Sequence, residues 1–238
     1  MTAPMPRIWA VFPAAGVGRR MAADVPKQYL DLLGQPIVCW VLQSLLSHPA
    51  VYGGVIALAD HDTIWDTIAH DYPKPLYRVT GGAERSDSVL AALEFLLARG
   101  GEDDWVMVHD AVRPCVAAED LDRLLAAGLS RPDGALLAVP VRDTLKRQDA
   151  GGRVRDTASR DGLWHAMTPQ LFPLKLLHRA LNTALERGTP VTDDSQAMET
   201  AGYQPLLVEG QSTNIKVTRP HDLALAEAVL KSSGRCST

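Results

Sequence analysis

Arg19, Arg20 and Lys27 place three cations within nine residues, beside the small-residue loop Pro13-Ala-Ala-Gly-Val-Gly-Arg-Arg-Met21. Small residues let backbone N–H groups come close to a ligand, and such a loop can cradle phosphates. Gly16 and Gly18 alone are a weak signal. Met21 replaces the third glycine of a dinucleotide fingerprint, and no Gly-Lys-Ser/Thr follows as in a Walker A loop. The cations sharpen the case, because charge developing on a transferred phosphoryl group needs fixed positive groups. A solvated surface cluster is the plainer alternative. The chain carries 24 Lys and Arg against 28 Asp and Glu, a formal net charge of −4. No bulk attraction to nucleic acid or to an anionic membrane is therefore expected. A polyanion must be met locally, and this loop reads as a triphosphate site.

Asp110 and Arg113 follow the apolar run Trp105–His109, and ligands of open α/β sheets bind beyond the carboxyl ends of strands. Asp110 can accept from a ribose or polyol hydroxyl, and Arg113 can hold a phosphate by a bidentate contact. Taken alone, the two read first as a structural ion pair. Lys216 lies between apolar neighbours in Asn214-Ile-Lys-Val-Thr218, which reads as a strand, and an inward lysine there is costly unless paired. Cys39, Cys115 and Cys236 form no C-x-x-C. They read as two buried small apolar residues and a tail thiol, in a reducing compartment.

These residues need a scaffold. Ile8–Pro13, Val51–Ala59, Leu76–Thr80, Trp105–His109 and Ala135–Val139 read as buried strands. Val89, Leu90, Leu93, Leu96 and Leu97 recur at helical spacing and predict a helix over Ser86–Ala98. Leu121, Leu124 and Leu125 mark a second helix. Leu174, Leu177, Leu181 and Leu185 mark a third, closed by Gly188. The alternation predicts an α/β, Rossmann-like fold: a mostly parallel sheet with helices on both faces. All 238 residues read as one domain. The charged stretch Val141–Gly162, with Gly151-Gly152 near its middle, predicts a protruding β-hairpin. Such an arm cannot bury itself, so a second subunit is the economical partner. Met1–Pro6 is too short and polar for a signal peptide, and Ile37–Leu46 falls short of a membrane span. A soluble cytoplasmic protein with a frayed tail from Ser232 is expected.

Six ordered motifs extend the first loop and Pro26-Lys27-Gln28. They are Gly81-Gly82-Ala-Glu-Arg85 with Ser88, Val108-His-Asp-Ala-Val-Arg-Pro114, Pro140-Val-Arg-Asp-Thr-Leu-Lys-Arg147, Leu163-Trp-His-Ala-Met-Thr-Pro-Gln170, Thr192-Asp-Asp194 and Asn214-Ile-Lys-Val-Thr-Arg-Pro220. From about Ala10 to Leu230 the chain resembles the 2-C-methyl-D-erythritol 4-phosphate cytidylyltransferases of the non-mevalonate isoprenoid pathway. The resemblance implies transfer of CMP from CTP to a polyol phosphate, with magnesium on the triphosphate and a homodimer locked by the β-arm at about 141–162. It assigns CTP to Pro13, Ala14, Ala15, Gly16, Gly18, Gly82, Ser88 and Ala111. It assigns the polyol phosphate to Asp110, Arg113, Thr144, Arg160, Thr168 and Lys216. Arg20, Lys27, Arg160 and Lys216 are its catalytic set, with Arg160 and Thr144 serving the other subunit's site. Ala83 stands where many relatives carry an acid, so backbone carbonyls are expected to meet the cytosine amine.

A phosphate nucleophile is already an anion and needs no base. His109 therefore reads as a satisfied histidine at a strand end, and His165 with Trp164 as packing near the site. The nearest alternative is a ribitol-5-phosphate cytidylyltransferase, whose type shares Val112 but not the motifs Pro140–Arg147 and Leu163–Pro169. A silent nucleotide-binding scaffold would be expected to lack Arg20, Lys27 or Lys216, and all three are present.

Overall fold

The computed structural model describes residues 6–16, 25–68, 71–101 and 103–235. The chain begins with β1 (Ile8–Pro13), a two-strand ribbon β2 (Asp31–Leu32) and β3 (Gln35–Pro36), and α1 (Ile37–Leu46). There follow β4 (Val51–Leu58), β5 (Leu76–Thr80), α2 (Arg85–Leu97), β6 (Trp105–Val108), α3 (Ala118–Gly128) and β7 (Ala135–Pro140). The rest is β8 (Leu145–Gln148), β9 (Val154–Ala158), β10 (Trp164–Pro173), α4 (Leu174–Glu186), α5 (Asp194–Thr200), β11 (Leu206–Glu209) and α6 (Pro220–Ser232).

Seven strands form one sheet in the order β11-β7-β10-β6-β1-β4-β5. Only β10 runs antiparallel to its neighbours, β6 and β7. Side chains alternate across each strand, and the two faces bury different helices. Ile8, Ala10 and Phe12 of β1 join one core with α1, α3 and α6. Trp9 and Val11 join the other with α2, α4 and α5. That is the two-faced α/β architecture the alternation predicts.

Helix α2 starts with the Asp87 carboxylate accepting from the Glu84 N–H at 3.0 Å, and it buries Val89, Ala92, Leu93 and Leu96. On α4, Leu174, Leu177 and Leu181 are buried as expected, but Leu185 is exposed. Steps of four residues outrun a 3.6-residue turn, so the stripe drifts and Ala184 takes the buried place. Gly188 follows the helix at φ +61°, the left-handed conformation a closing glycine supplies.

Strands β10 and β11 were not evident in the sequence. Pro169, inside β10, has no N–H to give a ladder, and the register with β7 slips between Ala166 and Gln170 to admit it. The Asn214–Thr218 segment, by contrast, is not a strand. It joins the β6 loop through one backbone–backbone bond, from the Val217 N–H to the Val112 carbonyl at 2.9 Å.

The polar hairpin is present. Strands β8 and β9 pair antiparallel in a sheet of their own, closed at the base by the Val141 N–H on the Leu163 carbonyl at 3.0 Å. At the tip, one Asp149 carboxylate oxygen accepts from the N–H groups of Gly151 and Arg153, each at 2.9 Å. Gly152 sits at φ +78°, where a side chain would be strained. Cys39 and Cys115 are buried and free, while Cys236 lies outside the described residues. The chain after α6 is tied down further than its composition suggests. Arg235 donates to the carbonyls of Pro114 and Val116 at 3.0 and 3.2 Å. Among the described residues no helix is long and apolar enough to cross a membrane.

Candidate active site

The sheet order changes direction at β1, which pairs with β4 on one side and β6 on the other. The carboxyl ends of β1 and β6 therefore open a crevice, as at the switch point of other open α/β sheets. A recess of about 250 Å³ lies there. Pro13, Ala14, Ala15 and Gly16 form its floor, Lys27 and Gln28 one side, Gly82, Arg85 and Ser88 another, and Asp110, Ala111 and Lys216 a third. Gly18, Arg19 and Arg20 lie outside the described residues.

Local chemistry shapes this recess. The Gln28 amide donates to the Ala14 carbonyl at 2.8 Å and so ties the chain beyond the glycine loop back to β1. The Ser88 hydroxyl accepts from the Gly82 N–H at 3.2 Å and donates to the Glu84 carbonyl at 3.3 Å. A Cβ on Gly81 would stand 2.7 Å from that of Ala15, and one on Gly82 would stand 2.2 Å from that of Asp87. Neither position has room for a side chain, so the backbone itself faces the recess.

The third side is a wall of charge. Asp110 is buried; its Oδ1 accepts from Arg85 Nε at 3.0 Å, and its Oδ2 lies 2.8 Å from Lys216 Nζ and 3.5 Å from Arg113 Nε. Burial alone would raise the Asp110 carboxyl, but Arg85, Lys216 and Arg113 outweigh it and hold it well below the usual carboxylate range. Arg85 also reaches Asp194, 2.8 Å from its Nη2. Burial works against the Arg85 charge, yet Asp194 and Asp110 outweigh it and raise the guanidinium above its ordinary value. Lys216 is only half buried, so the desolvation cost expected of an inward lysine is small, and its partner is Asp110.

A second recess of about 250 Å³ adjoins the first across this wall. Arg85, Asp110 and Lys216 line both. Arg113 and Thr168 line the second, with Gln170, Thr192 and Asp193. Arg113 is mostly buried and spends one donor on the Asn214 carbonyl at 2.8 Å. Thr144 and Arg160 are exposed on the hairpin's flanks and line neither recess within the chain.

Behind the wall runs a chain of hydrogen bonds whose directions can be assigned. His109 Nε2 faces the Arg113 carbonyl at 3.0 Å, so it carries the proton. Nδ1 is then an acceptor, and the Thr168 hydroxyl donates to it at 2.9 Å. The same hydroxyl accepts from the Asp110 N–H at 3.0 Å. Burial pushes the His109 imidazole down to about 4, so it is neutral at pH 7. It is a satisfied histidine at a strand end. His165 is exposed rather than packed beside the site, because β10 turns it outward there.

The sequence pointed to most of the lining but not to Arg85 or Asp194 as partners. Both occur in the motifs Gly81–Arg85 and Thr192–Asp194. The signal available was Asp194 itself, a carboxylate just ahead of Ala197 and Met198, which α5 buries.

Residues 8–232 match the family model IspD, 2-C-methyl-D-erythritol 4-phosphate cytidylyltransferase. The chain belongs to this family. It is 56% identical over 230 residues to the 2-C-methyl-D-erythritol 4-phosphate cytidylyltransferase of Halorhodospira halophila, covering 95% of each chain. It is 53% identical to that of Pseudomonas putida over 220 residues, 92% of this chain and 94% of the other. Among solved structures it is similar to a 4-diphosphocytidyl-2C-methyl-D-erythritol synthase, with a TM-score of 0.83 and 35% identity over 95% of this chain and 100% of that one. The IspD of Francisella tularensis gives 0.80 and 32%, over 94% and 100%. The IspD fold is thus the seven-stranded architecture described above.

Proposed function

We propose that the chain transfers CMP from CTP to 2-C-methyl-D-erythritol 4-phosphate, giving 4-diphosphocytidyl-2-C-methyl-D-erythritol and pyrophosphate. Family membership supports the reaction and favours it over transfer to ribitol 5-phosphate. The observation that carries the reading is the pair of recesses with one shared wall. CTP occupies the first, against Pro13, Ala14, Ala15, Gly16, Gly82, Ser88 and Ala111; the family resemblance adds Gly18, which lies outside the described residues. The polyol phosphate occupies the second, against Asp110, Arg113, Thr168 and Lys216. Their phosphates then meet at Lys216.

An oxygen of the polyol phosphate attacks the α-phosphorus of CTP. A new P–O bond forms, the bond to the bridging oxygen breaks, and pyrophosphate leaves with the electron pair. The nucleophile is already an anion, which agrees with a neutral, fully bonded His109. Two anions must be aligned and their repulsion offset. Arg20 and Lys27 stabilise the charge on the α-phosphoryl oxygens and the leaving group, and Lys216 and Arg160 position the attacking phosphate.

Among the described residues no group of three His, Cys, Asp or Glu side chains comes together that could cage a metal ion. Asp110, the carboxylate of the shared wall, is taken up by three cations. This donor set suits magnesium carried by the triphosphate oxygens with few protein ligands. There it would neutralise part of the phosphate charge.

The hairpin is read as a dimerisation arm spanning about 141–162 of a single-domain chain. It carries Arg160 and Thr144 to the partner's second recess, and the fact that neither lines a recess of its own chain supports this. The buried free thiols Cys39 and Cys115 fit a reducing, cytoplasmic setting.

The test is pyrophosphate release from CTP and magnesium, with methylerythritol phosphate and ribitol phosphate offered side by side. Rapid release with the first alone is expected; equal or faster release with the second would overturn the reading. Replacing CTP by UTP leaves a backbone acceptor facing a carbonyl, so kcat/KM should fall roughly 5- to 150-fold.

A further inference from the structure

Arg85 opens α2, three residues after Gly82 and three before Ser88, and it lines both recesses. Two of its guanidinium nitrogens are committed to carboxylates: Nε to Asp110 at 3.0 Å and Nη2 to Asp194 at 2.8 Å. Asp194 is almost completely buried. Among the described residues its other oxygen, Oδ1, has no hydrogen-bond partner. An isolated buried carboxylate is costly, and replacing such a pair by apolar groups is often neutral or stabilising. Stability alone therefore does not account for placing it here. What the pair secures is geometry. Arg85 occupies Asp110 Oδ1, which leaves Oδ2 for Lys216 at 2.8 Å and Arg113 at 3.5 Å. Lys216 comes from a loop outside the sheet, whose backbone is tied on either side of it, at Asn214 by Arg113 and at Val217 by the Val112 carbonyl. Its ammonium is half exposed on a flexible stem, so the carboxylate must be fixed if the ammonium is to be.

We infer that Arg85 is a positioning residue: anchored by buried Asp194, it fixes the orientation of Asp110 and thereby places Lys216 on the wall between the two recesses. Arg85 acts through Asp110 and does not itself hold phosphate. The inference rests on the proposed reaction, in which Lys216 places the attacking phosphate.

The test compares Arg85→Ala, Asp110→Asn and the double variant in full-length protein. It uses kcat from pyrophosphate release, the Kd of CTP from calorimetry, and Tm. A kcat loss on the order of 10²-fold is expected for Arg85→Ala, with CTP binding changed by less than about threefold, because only alignment is lost. The double variant should be no slower than Asp110→Asn alone, since residues acting as a unit are not additive. Arg85→Lys keeps a charge but can span only one carboxylate, so it should recover little activity. It also carries the same measurements if the alanine variant does not fold. A lowered Tm with unchanged kcat would make Arg85 merely structural. A CTP Kd that weakens as much as kcat/KM falls would make it a phosphate ligand. Losses that multiply in the double variant would separate it from Asp110. Each of these overturns the inference. Wild-type protein that releases no pyrophosphate would instead overturn the reaction, and would do so before any variant is compared.

Discussion

The wall around Asp110 and the β8–β9 hairpin are built from the same residue types, arginine, lysine and aspartate, yet they are opposite kinds of structure. In the wall, Asp194 and Asp110 expose 1% and 8% of their side chains. In the hairpin, Arg147 and Arg155 expose 58% and 60% while pairing with the same Asp156. Exposed pairs are screened, exchange partners and contribute little. Pairs to a buried carboxylate resist exchange, because a broken contact leaves that carboxylate without solvent or partner. The wall can therefore present a fixed field to a phosphate. The hairpin's charges acquire fixed roles only when something else orders them.

The sharpest test of that contrast is the largest expected effect. Lys27 lines the first recess and begins the segment that Gln28 fastens to Ala14. If its charge is a fixed part of the transition-state field, Lys27→Ala should lower kcat on the order of 10²-fold or more, as for loss of one preorganised donor. KM for CTP should move far less, since a contact made only in the transition state appears in kcat. Steady-state kinetics over both substrates decides it. Arg20→Ala should behave likewise. Near-normal turnover in either would reduce the cations of the first loop to the status of the hairpin's.

A second test asks whether the wall's rigidity depends on a neutral His109. Its folded value of about 4 lies below the unfolded value of 6.5. Between those values the unfolded chain binds a proton that the folded chain refuses. This contribution to stability is complete above pH 6.5 and is lost as the pH falls toward 4. The loss amounts to about 3 kcal/mol, from a shift of roughly 2.5 units. Asp110 adds a separate loss below the ordinary carboxylate value, because its folded value is depressed. Urea midpoints from pH 7 to pH 4 should fall steeply in wild type. In His109→Gln, lower in stability throughout, the slope between pH 6.5 and 4 should be shallow. Parallel slopes would remove His109 as the cause.

Local patterns made much of this legible in the sequence. The run Ile8–Pro13 is apolar on both faces because β1 is buried on both, and the leucine spacing of α2 reports one buried stripe. The small residues Ala14 to Gly16 and the Gly81-Gly82 turn announced a backbone surface, and Ala14 to Gly16 and Gly82 line the recess. What failed was non-local. Strand β10 hides because Pro169 interrupts Trp164–Pro173 and looks like a turn, and only pairing with β6 and β7 on either side makes it a strand. Lys216 looked like a strand residue because Ile215 and Val217 flank it, although among the described residues no strand pairs with it. Arg85 and Asp194 are 109 positions apart. Neither a periodicity nor a spacing can report a salt bridge between them; only the sheet's topology brings α2 and α5 together.

The hairpin gives the smallest effect and the most direct comparison of the two regions. Arg160 stands at its base, exposed and outside both recesses of its own chain. Lys27 stands in the first recess. If the arm reaches a partner, each complete site takes Lys27 from one subunit and Arg160 from the other. Dissociate Arg160→Ala and Lys27→Ala proteins reversibly, mix them in equal amounts and reassociate. Half the dimers should be mixed, and each of those holds one site with both defects and one with neither. Activity should return to about a quarter of wild type in a twofold-symmetric dimer that assorts randomly. If Arg160 instead serves its own subunit, every site keeps one defect and nothing returns. The readout needs a mixture shown by mass spectrometry to contain mixed dimers. Silence in that mixture would leave the hairpin as surface, and would return the attacking phosphate to Lys216 and Arg113 alone.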